Sequence, residues 1–77
     1  MYIYAVWSDG NEDIMSANYF ALLESAYDAL KDEEWETYTE DLDAPFPAYG
    51  DLKRALEQYG IVAVGYSYVC RIFVKSV

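Results

Sequence analysis

Apolar and polar positions change their period several times along the chain, and each change marks an element. Tyr2, Tyr4 and Val6 alternate with Ile3, Ala5 and Trp7, the two faces of a β-strand. Asp9-Gly10 follows, a dipeptide suited to a type I′ hairpin turn because both central residues need positive φ. The pattern therefore predicts an opening hairpin whose return strand starts near Asn11, includes Ile14 and Met15 and runs to about Asn18. From Tyr19 the spacing turns helical: Tyr19, Phe20, Leu23, Ala26, Tyr27 and Leu30 line one stripe. Trp35 to Thr39 reads equally as a strand, from its alternation, or as an extension of this helix.

Ala44-Pro45-Phe46-Pro47-Ala48 interrupts regular structure, because each proline restricts itself and the residue before it. A second helix is expected next, with Leu52, Ala55, Leu56 and Tyr59 buried and Gly60 as its C′ residue. Ile61 to Val77 is the most apolar stretch. Gly65 divides it, as a bulge or as the first position of a type II′ turn. Tyr66, Tyr68, Cys70, Ile72 and Val74 then point one way, and Ser67, Val69, Arg71, Phe73 and Lys75 the other. The expected fold is α+β: an antiparallel-rich sheet of three or four strands with two helices packed on one face.

Length limits this to one small acidic domain, residues 1–77. Hydrophobic residues make up 55% of the chain, including nine Tyr and two Trp, enough for a core without a disulfide. Cys70 is the only cysteine and reads as an inert core thiol, which points to a reducing, cytoplasmic setting. The start of the chain reads as a strand rather than a secretory signal, and no apolar run is long enough for a membrane span.

The absence of histidine removes the commonest general base and metal ligand, and one cysteine cannot build a zinc site. The four glycines make no phosphate-binding spacing. Asp9-x-Asn11-x-Asp13 starts like a calcium loop, but Ile14 stands where glycine is needed and Phe20 where the bidentate glutamate belongs. Asp41-Leu42-Asp43 is a weaker match. No catalytic residue, metal or cofactor is therefore expected.

Charge changes the picture more than any motif. The net charge is −9, and residues 24–43 hold nine acids and one base, while residues 44–77 hold two acids and four bases. Glu24, Asp28, Asp32, Glu36 and Glu40 recur every fourth position, about 6 Å apart wherever the segment is helical. Like charges at that spacing oppose helix formation by about 0.2–0.5 kcal/mol per pair. Asp32, Glu33 and Glu34 would also meet the unfavourable end of the helix dipole. A row of anions at this interval approximates the phosphates of a nucleic-acid strand. Trp35 and Tyr38 lie among these acids as candidate contact anchors, or as ordinary caps on the core.

In size, charge and α+β pattern the chain resembles the small acidic inhibitors of phages and mobile elements, the anti-CRISPR and anti-restriction proteins that mimic DNA. That resemblance implies a non-catalytic inhibitor in the host-cell cytoplasm, occupying the nucleic-acid site of a nuclease or of a CRISPR or restriction effector. The expected partner is a basic groove, with no direct nucleic-acid or membrane binding and with the chain as monomer or homodimer. The expected partner-binding residues are Glu24, Asp28, Asp32, Glu33, Glu34, Trp35, Glu36, Tyr38, Glu40, Asp41 and Asp43. Two other readings compete. The acids could serve solubility alone, or the chain could be an assembly module that uses Tyr66, Tyr68 and its sheet to pair with a partner.

Overall fold

In the computed structural model, which describes residues 1–8 and 17–75, two helices cover one face of a four-stranded antiparallel sheet. The strands are β1 (Tyr2–Ser8), β2 (Asn18–Phe20), β3 (Ile61–Val64) and β4 (Ser67–Phe73), in the order β2-β1-β4-β3. The helices are α1 (Leu23–Glu36) and α2 (Tyr49–Tyr59). The expected α+β class, with both helices on one face, is what the chain adopts. The Asp9-Gly10 turn, the start of the return strand and the calcium-like Asp9-x-Asn11-x-Asp13 spacing lie outside the described residues.

The seven-residue register between β1 and β4 organises the sheet. It pairs Tyr2 with Phe73, Tyr4 with Arg71, Val6 with Val69 and Ser8 with Ser67. β3 adds Val62 opposite Val69 and Val64 opposite Ser67, so Val6, Val62, Val64 and Val69 share one face. Leu23, Ala26 and Leu30 from α1 and Leu52 and Leu56 from α2 close over that face, with Phe46 between the helices. Leu30 and Leu56 are fully buried, and each contributes about 1.5–3 kcal/mol of apolar burial.

One boundary differs from expectation, and one left open between strand and helix is decided. Tyr19 and Phe20 belong to β2, paired with Ala5 and Tyr4, and α1 starts only at Leu23. Their spacing fits the helical stripe, but aromatic side chains favour a strand where a partner is available, and β1 supplies it. Residues 35–41 are helical. α1 continues to Glu36 and then widens into a π turn, Thr37–Asp41, in which the Leu42 N–H donates to the Thr37 carbonyl at 3.0 Å. Thr39 Oγ1 donates back to the Trp35 carbonyl at 3.0 Å, which satisfies a β-branched residue within a helix. The helical run ends at Asp43, whose φ of 47° lies in the left-handed region.

The segment through the two prolines packs as a small aromatic cluster. Phe46 meets Tyr27 and Tyr38 edge-on at ring-centroid distances of 5.4 and 5.3 Å, and the Tyr27 hydroxyl donates to the Pro47 carbonyl at 2.7 Å. α2 buries Leu52 and Leu56 as expected, whereas Tyr59 at its end is exposed. Gly60 ends it in the left-handed conformation, φ 79°, and its N–H donates to the Leu56 carbonyl.

Gly65 and Tyr66 form the two-residue turn from β3 to β4. Positive φ at Gly65 alone, 61°, is the pattern of a type II′ turn.

Candidate interaction surface

α1 rotates by about 100° per residue, so Glu24, Asp28, Asp32 and Glu36 fan across about 120° centred almost opposite the buried Leu23-Ala26-Leu30 stripe. All four are exposed, as is Glu33 at their flank, and Glu40, Asp41 and Asp43 prolong the surface beyond the helix. From Glu24 to Glu36 the row runs about 18 Å. Among the described residues none of these acids forms an ion pair; the single salt bridge joins Arg54 to Asp51 on α2 at 3.5 Å. The last turn of α1 carries no basic residue. Lys31, the one base in the segment, stands with its ammonium 5.6 Å from the centre of the Trp35 ring.

Glu34 leaves this surface altogether. It is only 4% exposed, because it continues the buried stripe one turn beyond Leu30. Its carboxylate accepts the Ser67 hydroxyl at 2.6 Å and the Tyr66 backbone N–H at 3.1 Å, at the turn between β3 and β4. The type II′ turn aims that N–H away from its own hairpin, and Glu34 supplies the acceptor. Gly65 makes the approach possible, since a Cβ built there would overlap the Glu34 carboxylate. Glu34 therefore fastens α1 to the hairpin and is not available to a partner.

The two aromatic candidates separate in the same way. Trp35 is 49% exposed and lies within the acidic face. Tyr38 is half-buried against Phe46 and the core, so it acts as a structural cap. No protein family, curated protein or solved structure matches this chain.

The opposite side of the molecule carries a surface that the helical arithmetic did not expose. Facing away from the helices, the register aligns Tyr19, Ala5, Cys70 and Ile61 in one row across all four strands. Trp7, Tyr68 and Ala63 form a second row, and Ile3 and Ile72 a third. Trp7 stacks on Tyr68 at 5.6 Å between ring centres. Tyr66, paired with Tyr68 in the sequence reading, lies instead in the exposed turn. Cys70 is not a core thiol either: it is half-buried on this face turned away from the helices, where partial burial pushes its thiol above the ordinary range. The alternation in the sequence placed these residues on common faces. Which face the helices would leave bare was not written in it.

No cleft opens among the described residues, and among them no group of three or more acidic or cysteine side chains could hold a metal ion. No described helix is long and apolar enough to cross a membrane.

Proposed function

We propose that this chain is a non-catalytic inhibitor that binds through the outer face of α1. It docks in the basic groove of a nucleic-acid-binding protein, a nuclease or a CRISPR or restriction effector, and excludes the nucleic acid. One observation carries the reading: Glu24, Asp28, Asp32 and Glu36 point directly away from the core without an ion-pair partner among the described residues. Such a row works against its own helix, through i,i+4 repulsion and through the dipole at the carboxyl end. A basic groove would reverse both terms. Trp35, exposed within the row, supplies apolar contact, and Glu33, Glu40, Asp41 and Asp43 extend the electrostatic footprint.

The test is capture of binding proteins from a host lysate on the immobilised chain, followed by elution with duplex DNA. The expected eluate contains nucleic-acid-binding proteins whose retention falls steeply with salt, as counterion replacement requires. Capture only of proteins that do not bind nucleic acid, or retention indifferent to DNA and salt, would remove the proposal.

A further inference from the structure

We infer that the outer edge of β3 pairs with β3 of a second copy, antiparallel about a two-fold axis at Val62, joining the two sheets into one. This inference does not depend on the acidic-face reading. Its starting point is the hydrogen-bond ladder. β3 is a terminal strand of the sheet. The Arg71 N–H donates to the Gly60 carbonyl at 2.8 Å, which sets the alternation: Gly60, Val62 and Val64 turn their backbone groups to β4, and Ile61 and Ala63 turn theirs outward. Among the described residues no backbone group bonds to these outward N–H and C=O groups. Ile61-Val62-Ala63-Val64 also carries no charge, no proline and no bulge, the devices that usually blunt an edge.

The chain itself cannot fill this edge. Ser8 is level with Ser67 and Val64, and β3 stands two strands from β1. At about 4.8 Å per strand, the outer side of β3 is about 14 Å from Ser8 and about 19 Å from Asn18. The chain between those two residues extends to at most about 36 Å, so a route out and back leaves nothing to run along Ile61 and Ala63. Residues 76–77 reach at most about 7 Å beyond Lys75. Ile61 is level with Cys70, about 16 Å back along the chain from Lys75.

Register and charge select a second copy. A two-fold axis at Val62 sets Ile61 opposite the partner's Ala63, and Ala63 opposite the partner's Ile61. Each pair exchanges two hydrogen bonds, so all the outward groups of both copies are satisfied at once. Large Ile61 lies beside small Ala63 on one face, and the two Val62 side chains meet on the other. The helix layer agrees. Tyr49 meets Tyr27 of α1 at 5.5 Å, so at about 100° per residue the opposite flank of α2, with Asp51, Ala55 and Gln58, overhangs the β3 edge. A lone strand from another protein leaves that flank uncovered, whereas a copy brings its own α2 against it. α2 is balanced in charge, Asp51 and Glu57 against Lys53 and Arg54. The acids lie on α1, which packs on β1, β2 and β4, so the two acidic helices stand more than about 20 Å apart, over two Debye lengths at physiological salt. One strand and one helix flank per copy make a small contact, which places this dimer among the weak, reversible ones.

Sedimentation equilibrium on the full chain, up to millimolar concentration at low and high salt, tests the inference. The expected mass rises from 8.9 kDa toward twice that value, and salt strengthens association because each copy carries a charge of −9. Groove binding by the acidic face weakens with salt, so failure of one proposal is distinguishable from failure of the other. Ala63→Pro removes an N–H that serves no pair with β4, and should weaken association about tenfold or more while circular dichroism shows the fold retained. Ala63→Lys should do the same by placing a charge on the edge. Oxidation in a Cys70→Ser background reads the register. Val62→Cys should form a disulfide dimer, because paired Cα atoms at the axis stand about 4.5 Å apart, and Ile61→Cys should not, because its copies stand beyond about 7 Å. A chain that stays monomeric at every concentration and salt overturns the inference. So do folded Ala63 variants that associate like the parent, or a Val62→Cys variant that fails to cross-link.

Discussion

The Ser67 hydroxyl donates to Glu34 Oε1 at 2.6 Å, joining α1 to the β3–β4 hairpin across 33 residues of chain. Replacing Glu34 with alanine strands that buried hydroxyl and the Tyr66 N–H without their acceptor. At about 1–3 kcal/mol for each orphaned group, the loss should total about 2–6 kcal/mol. Glu33→Ala, one residue away and exposed, should stay within about 0.5 kcal/mol of the parent. Urea denaturation of the two variants measures the difference, and equal midpoints would deny Glu34 its fastening role.

Two glycines with positive φ offer an internal comparison. At Gly60 an added Cβ meets open space, so Gly60→Ala should carry only the left-handed backbone penalty of about 1–2 kcal/mol. At Gly65 the same penalty applies and the Cβ also displaces the Glu34 carboxylate. Gly65→Ala should therefore be the more destabilising by thermal melting, and combining it with Glu34→Ala should cost less than the sum of the two.

Conversion of Glu24, Asp28, Asp32 and Glu36 together to Gln and Asn should separate stability from binding. Relief of repulsion of about 0.2–0.5 kcal/mol per i,i+4 pair should hold or raise the melting temperature, while capture of DNA-binding proteins should disappear. A folded variant that still captures them would assign the acids to solubility alone. An unfolded one would assign them to structure.

Trp35 and Tyr38 should behave oppositely. Tyr38→Ala removes a ring packed on Phe46 and should destabilise by about 1–3 kcal/mol. Trp35→Ala loses an exposed ring and the nearby Lys31 ammonium, worth about 0.5–1 kcal/mol, yet should weaken partner capture. Paired melting and capture assays distinguish the two.

Cys70 should alkylate slowly at neutral pH at low protein concentration, because desolvation raises its thiol and lowers the thiolate fraction. With the folded value above the unfolded one, its contribution to stability is complete below the unfolded thiol range and is lost as pH rises through the folded value. Comparison of alkylation rates against pH in buffer and in denaturant measures the displacement. A native profile at or below the denatured one would place the thiol in a more polar site.

Much of the fold follows from periodicity. The alternation Tyr2 to Trp7, the Leu52–Leu56 pair and Gly65 all occupy the roles that their spacing implies, because each satisfies a local rule. The misreadings have a common cause in distant partners. Tyr19 and Phe20 are strand because β1 lies beside them, and Glu34 is buried because a hairpin some thirty residues later offers two donors. Its place one turn after Leu30 was the available signal, but a carboxylate in an acidic run reads as solvated. The outward acids were legible, since their four-residue recurrence needs only the helix to hold. The outward sheet face was half legible: alternation grouped its residues without telling which group the helices would cover.

The central pairing of β1 with β4 also constrains how the chain comes to be folded. Residues 2–8 find their longest partner only in residues 67–73, so Val6 cannot be enclosed until the last strand has been made. Folding during synthesis is thereby postponed until β4 has been made. Such non-local pairing also slows the search, placing folding on a timescale longer than that of a helical bundle of similar length. While β4 is missing, β1 offers an unpaired edge rich in aromatic residues, and that interval is when the growing chain is most exposed to aggregation.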